Sequence, residues 1–99
     1  MVAEDGPEGL TLKQNSPNPF NRSTVISFTL KKVSTINLKI YNIKGKEITT
    51  LAKGNYTAGN YQFTWNGTDC NGHQVCPGIY IYRLEAGLFY ETKSMILSR

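Results

Sequence analysis

The sequence has 99 residues, of which 39% are apolar and 18% charged, as expected for one small globular domain. It contains no run of about 18 apolar residues, which excludes a membrane-spanning helix. The formal net charge is +4, and outside three acids near the N-terminus the chain carries 11 basic and 4 acidic residues. Because Lys31-Lys32 is its longest basic run, we expect a solvated basic surface and no nucleic-acid partner.

The first nine residues, Met1–Gly9, combine Ala, Gly, Pro and acidic residues without any apolar period. They lack the basic and apolar regions of a signal peptide. We therefore expect residues 1–9 to be a flexible linker or an expression remnant, with any export signal upstream. The folded domain is expected to cover residues 10–99.

From Leu10 onward apolar and polar residues alternate, the period of half-buried strands. No helical period extends over three turns. Seven strands are predicted, at Leu10–Gln14, Val25–Leu30, Ile36–Tyr41, Lys46–Leu51, Asn60–Trp65, Ile79–Ala86 and Leu88–Leu97. Breaks are predicted at Pro17–Pro19, Lys31–Ser34, Asn42–Gly45, Lys53–Gly59, Asn66–Gly78 and Ala86–Gly87. This spacing predicts an all-β protein, an immunoglobulin-like sandwich of about seven antiparallel strands.

Pro17 and Pro19 lack amide hydrogens, so we expect Ser16–Phe20 to form an extended crossover outside the strand ladders. In that segment Asn18 is expected to cap backbone groups and Phe20 to plug the core. The alternative is a recognition loop. The spacing between Ile48 and Leu51 predicts a β-bulge or a strand end. Gly45 and Gly78 fall at predicted turns, where a positive φ is often needed.

The aromatic residues of the fifth and sixth predicted strands have two interpretations. They could form a platform for carbohydrate, but their alternation places them on the core face, which we favour. The set comprises Tyr61, Phe63, Trp65, Tyr80 and Tyr82. Tyr41, Tyr56 and Tyr90 are better candidates for exposure.

The sequence offers no catalytic or metal site. His73 is the only histidine and has no second base, nucleophile motif or carboxylate pair, so no enzyme activity and no cofactor are expected. Asp69, Asn71 and Gly72 resemble part of a calcium loop, but an Asx-turn is the better interpretation. Cys70 and Cys76 are six residues apart across a turn, which favours a disulfide over two free thiols. A zinc site lacks further ligands.

Five blocks of the sequence resemble a known family, in the right order. They are Gln14–Asn21 with Ser23-Thr24, Leu38–Glu47, Ala58–Gly72, Gly78–Leu84 including Arg83, and Glu91–Leu97. They resemble the motifs QNxPNPFNPST, LxVYDxxGRE, AGxxxxxWDGxDxxG, GVYFYRL and ETKKMxLxK of the type A C-terminal sorting domain of type IX secretion. The related immunoglobulin-like domain of flagellar hook-capping proteins shares this pattern.

The resemblance implies a non-catalytic C-terminal domain of a larger secreted bacterial protein. Its partners would be the upstream cargo domain, the outer-membrane secretion machinery and a cell-surface peptidase. The protein would pass through the periplasm and end secreted or at the cell surface. Two alternatives stay open. One is an immunoglobulin-like accessory or spacer domain of an extracellular hydrolase, which would contact polysaccharide. The other is a hook-capping-type assembly domain.

The closing block also marks the candidate recognition residues, which are Lys93, Ser94, Met95 and Arg99. The lysine that the family places near its last apolar residues falls at Ser94, with Lys93 one position early. One position along a strand reverses the face. Arg22 and Asn66 also depart from the family pattern. We expect the last strand to be read by its exposed edge and its basic side chains.

Overall fold

The computed structural model describes residues 9–98, which form seven strands and no helix. The strands are β1 (Leu10–Leu12), β2 (Thr24–Leu30), β3 (Ser34–Asn42), β4 (Glu47–Tyr56), β5 (Gly59–Trp65), β6 (Gly78–Ala86) and β7 (Phe89–Leu97). They form a three-stranded sheet in the order β1-β2-β5 and a four-stranded sheet in the order β4-β3-β6-β7. Every strand pair is antiparallel. The predicted all-β sandwich is confirmed.

The alternation of apolar and polar residues explains the two layers. In β2 the buried side chains are Thr24, Ile26, Phe28 and Leu30, and the residues between them are half-buried. Ile36, Leu38 and Ile40 of β3 are buried in the same way. Each sheet therefore has one apolar face, and the two faces can leave water only by packing against each other.

Most of the predicted aromatic core is confirmed. Trp65 is 1% exposed, and Tyr80 and Tyr82 are also buried. Tyr61 and Phe63 are only half-buried and pack against the rim of the core. Phe20 is buried with its ring 5.8 Å from that of Trp65, so it does plug the core.

The turn predicted at Lys53–Gly59 is much shorter in the structure. β4 continues through Gly54, whose φ is +133°, and ends at Tyr56, which leaves Thr57 and Ala58 as the connection. The irregularity predicted near Ile48 is present as two register shifts between β3 and β4. At the tight connection after β3, Gly45 has a φ of +85°, while Asn42 Oδ1 accepts hydrogen bonds from the amides of Lys44 and Lys46.

The predicted linker lies almost wholly outside the described residues. Gly9, its last residue, is buried, and its carbonyl accepts a hydrogen bond from the amide of Lys31 at 3.0 Å. Gly9 is therefore hydrogen-bonded to the residue that follows β2. No helix in the described part of the chain is long and apolar enough to cross a membrane.

Candidate functional site on the closing strand

The two faces of β7 have different surroundings. Lys93 pairs with Tyr82 and shares the inner face with Met95, which is fully buried. Ser94 pairs with Ile81 and is exposed on the outer face. Lys93 is half-buried at the rim of the core. The displacement of the lysine by one residue therefore does reverse its face, as the sequence predicts.

The free edge predicted for β7 is not free, because the Gln14–Phe20 segment covers it. Gln14 Nε2 donates to the carbonyl of Ser94 at 2.7 Å, and Asn18 Oδ1 accepts from the amide of Ile96 at 2.9 Å. The amide of Phe20 donates to Ile96 O at 3.0 Å, and Ser98 N donates to Phe20 O at 2.7 Å. The exposed edge predicted for β7 is therefore absent along residues 94–98.

The same contacts correct the prediction that Ser16–Phe20 stays outside the ladders. Ser16 pairs with Val25 of β2, and Phe20 pairs with Leu97 of β7. Pro17 and Pro19, which have no amide hydrogen to donate, lie between these two bridges. The segment crosses from one sheet to the other and ties their edges together.

A buried hydrogen-bond cluster holds this segment in place. Asn15 is 3% exposed, and its amide donates to the hydroxyl of Tyr82 at 2.7 Å. The Tyr82 hydroxyl in turn donates to the carbonyl of Lys13 at 2.8 Å, and burial raises its pKa to about 12. Asn15 Nδ2 donates to Thr24 Oγ1 and to Pro17 O. Sequence patterns did not reveal this cluster, although a buried tyrosine hydroxyl generally needs a partner.

The outer face of β6 and β7 is the best candidate for a docking surface. Its cross-strand pairs are Ile79 with Ile96, Ile81 with Ser94, Arg83 with Thr92 and Glu85 with Tyr90. We call these eight residues the outer face. Ile79 is 53% and Ile96 43% exposed, so one end of the surface is apolar.

The other end of the outer face is charged and aromatic. The Arg83 guanidinium carbon lies 4.1 Å above the centre of the Tyr90 ring, a cation–π contact. Arg83 Nε lies 3.2 Å from Glu85 Oε2, an ion pair without hydrogen-bond geometry. A shallow depression of about 300 Å³ lies where the outer face meets the end of β3; it is lined by Tyr41, Asn42, Ile43, Gly45, Ile81, Arg83 and Thr92. An apolar patch beside fixed charges suits a protein partner better than a small reactant.

The loop between β5 and β6 is held by its own hydrogen bonds. Asp69 Oδ1 accepts from the amides of Asn71 at 2.9 Å and His73 at 3.0 Å, so the predicted Asx-turn is confirmed. The hydrogen bond from His73, with that from Asn71, lowers the pKa of Asp69. Among residues 9–98, no three His, Cys, Asp or Glu side chains come together as a metal site requires.

The remaining residues singled out from the sequence have structural positions. Cys70 and Cys76 are exposed free thiols in the structure and not the favoured disulfide, whose formation in an oxidising compartment stays a prediction. Tyr80 donates its hydroxyl hydrogen to Cys76 O at 2.6 Å. Gly78 begins β6 with a φ of +151°. Arg99 lies outside the described residues.

Solved structures with the same fold include domains of three bacterial proteins. PorU from Porphyromonas gingivalis, solved as a latent dimer, matches with a TM-score of 0.71 and 17% identity over 97% of this chain. FlgD from P. aeruginosa matches with a TM-score of 0.60 and 18% identity over 95% of this chain and 74% of its own. PorZ, a surface component of the type IX secretion system of P. gingivalis, matches with a TM-score of 0.61 and 16% identity over 87% of this chain.

The chain corresponds to only 10% of PorU and 11% of PorZ, so it matches one domain of each. No curated protein sequence matches the chain. The model of one protein family, described as the FlgD Ig-like domain, matches residues 14–87. These residues run from the segment that covers β7 to the end of β6, most of the sandwich. The chain therefore belongs to the FlgD Ig-like domain family.

Proposed function

We propose that this domain is a non-catalytic sorting module that directs a secreted protein across the outer membrane by way of type IX secretion. The observation that carries the proposal is that the first and the last motif blocks contact each other in the folded domain. Gln14–Phe20 is hydrogen-bonded along the edge of β7, the strand that contains the closing block. The likeness to domains of PorU and PorZ supports the same function.

This arrangement favours recognition through a face and not through an edge. Strand addition needs unpaired backbone groups, and along residues 94–98 those of β7 are already bonded. The outer face offers the exposed Ile79 and Ile96 at one end and the Arg83–Tyr90 pair at the other. The secretion machinery would therefore bind the outer face.

Ser94 lies near the centre of the outer face, directly beside Ile81. Ser94→Lys would place a cation there without disturbing the core, because the Ser94 side chain is exposed. Lys93 is half-buried on the inner face and would contribute little to recognition. If the machinery requires a lysine on the outer face, this domain would be exported weakly and Ser94→Lys would improve its export.

The test is a reporter that carries an N-terminal signal peptide and ends in residues 1–99, expressed in a bacterium with the type IX machinery. Surface reporter is quantified against periplasmic reporter. We expect surface exposure for the native fusion, more for Ser94→Lys and no loss for Lys93→Ala. A native fusion that stays periplasmic and is not rescued by Ser94→Lys would contradict the proposal.

That negative result would favour a second candidate, an immunoglobulin-like accessory or spacer domain beside an extracellular enzyme. The observation in its favour is that Ser94 occupies the outer-face position where the sorting-domain motif has a lysine. A spacer has no need of that cation.

A further inference from the structure

The sandwich is closed on one side and open on the other. β1 lies beside β7, and the Gln14–Phe20 segment seals that side. On the opposite side β5 lies beside β4. Among the described residues, the half-buried apolar side chains that pack against the core lie on β4, on β5 or in the loop after β5; they are Ile48, Leu51, Tyr56, Tyr61, Phe63 and Val75.

The backbone of β5 has one unpaired edge. Val25 exchanges backbone hydrogen bonds with Ser16, and Ser27 O accepts from the amide of Lys13. The backbone N–H and C=O groups of these β2 residues therefore point to the side of the sheet on which β1 lies. The backbone groups of Ile26 and Phe28, which alternate with them, bond instead to those of Phe63 and Tyr61 in β5. The backbone N–H and C=O groups of Asn60, Gln62 and Thr64 therefore point outward, and no strand within residues 9–98 pairs with them.

This edge lacks the features that normally prevent strand pairing. Exposed edges are commonly protected by lysine, proline, a bulge or a very short strand. β5 has seven residues, Gly-Asn-Tyr-Gln-Phe-Thr-Trp, with no charge and no proline, and its register with β2 is unbroken. By contrast β1 has three residues, β4 has register shifts and β7 is covered.

We propose that β5 pairs with β5 of a second copy of this chain, antiparallel about a two-fold axis at Gln62. In this register Gln62 faces Gln62 of the partner subunit, and Asn60 faces Thr64 of the partner subunit. All three outward-pointing residues of each strand then lie in hydrogen-bonded pairs, which gives about six backbone hydrogen bonds. The two three-stranded sheets become one sheet of six strands.

The side chains fit this pairing on both faces. Inward, Tyr61 lies opposite Phe63 of the partner subunit in a non-hydrogen-bonded pair, where side chains approach most closely. It extends the aromatic cluster in which the Tyr61 and Tyr56 rings are 5.0 Å apart. Outward, the Asn60–Thr64 pair repeats the chemistry of the Thr29–Asn60 pair, where Thr29 Oγ1 donates to Asn60 Oδ1 at 2.6 Å.

A second copy fits this edge better than an unrelated peptide because the strand is complementary to itself. Its polar and aromatic residues match when the strand is read in either direction, and no like charges meet across the axis. An interface of one strand pair buries less than the roughly 1,200 Å² of stable complexes, so the dimer is of the weak, transient class.

The test is sedimentation velocity of the full chain from about 10 μM to about 1 mM, the range of weak interfaces. We expect the native chain to self-associate with increasing concentration. Gln62→Lys and Gln62→Glu each put like charges opposite one another and are expected to weaken the dimer about fivefold. An equimolar mixture of the two is expected to restore it. Leu88→Lys, a change at a 97% exposed residue in the turn before β7, is the charge-matched control and should behave as the native chain.

Denaturation midpoints of the Gln62 variants are measured in parallel, and they should match the native chain because Gln62 is exposed. A native chain that stays monomeric up to about 1 mM would overturn the proposal. Equal dimerisation of Gln62→Lys and Leu88→Lys would also overturn it. So would a Lys–Glu mixture that remains monomeric, because it would show that Gln62 does not face its own copy. None of these outcomes depends on the sorting function.

Discussion

At the scale of single residues, Tyr82 links the core to the motif segment. Its ring fills the core at 0% exposure, while its hydroxyl bonds both Asn15 and Lys13. The alternation of β6 is sufficient to predict that the ring is buried. It cannot predict the partners of the hydroxyl, because they lie 67 and 69 residues away in a segment without strand periodicity.

Tyr82→Phe should destabilise the domain by about 1–3 kcal/mol, because the Asn15 amide and the Lys13 carbonyl lose their buried partner. The native chain should also lose stability in alkali. Burial raises the pKa of Tyr82 from 10.0 to about 12, so the stabilisation is complete below pH 10 and disappears as the pH rises toward 12. Urea denaturation at neutral and alkaline pH measures both effects, and a Tyr82→Phe chain with the same alkaline loss would contradict the assignment.

Trp65 is the largest fully buried side chain. Trp65→Ala should cost roughly 3–5 kcal/mol, since it empties an aromatic core site and removes the ring contacts with Phe20 and Tyr80. Leu88→Ala is the matched control, because Leu88 is 97% exposed and should leave the midpoint unchanged. An unchanged midpoint for Trp65→Ala, measured by chemical denaturation, would contradict its place in the core.

At the scale of elements, period two identifies β2, β3 and β5 most clearly, because each buries one face only. The length of β4 could not be predicted in this way, since Gly54 and Asn55 have turn chemistry but lie in a paired strand. The covered edge of β7 could not be predicted either. Strand periodicity reports which face is buried and contains no information about which segment lies along an edge.

Asn18→Ala tests the covered edge. It removes the acceptor of the Ile96 amide, so we expect a loss of about 1 kcal/mol and faster hydrogen exchange at that amide. Asn21→Ala, an exposed asparagine next to the covering segment, is the control and should change neither quantity. Native-like exchange at Ile96 in Asn18→Ala, measured by NMR, would show that Asn18 does not protect the strand.

At the scale of the whole molecule, the sandwich has one sealed side, one open side and two outer faces. The order of motif blocks in the sequence predicts the fold and the family. The sequence predicts recognition at the edge of β7. It could not show that the Gln14–Phe20 segment covers this edge, which is the reason for choosing the outer face. We therefore propose recognition at the outer face of β6 and β7 and self-association at β5.

The central claim, that the outer face is read for export, is tested most directly by the surface fraction of three reporter fusions. The first carries the native domain, the second Ile79→Ser with Ile96→Ser on the outer face, and the third Val25→Ser on the opposite face of the sandwich. The native and Val25→Ser fusions should reach the cell surface equally. The double variant should accumulate in the periplasm while keeping a native denaturation midpoint, since both isoleucines are exposed. Equal surface fractions for all three fusions would contradict the claim.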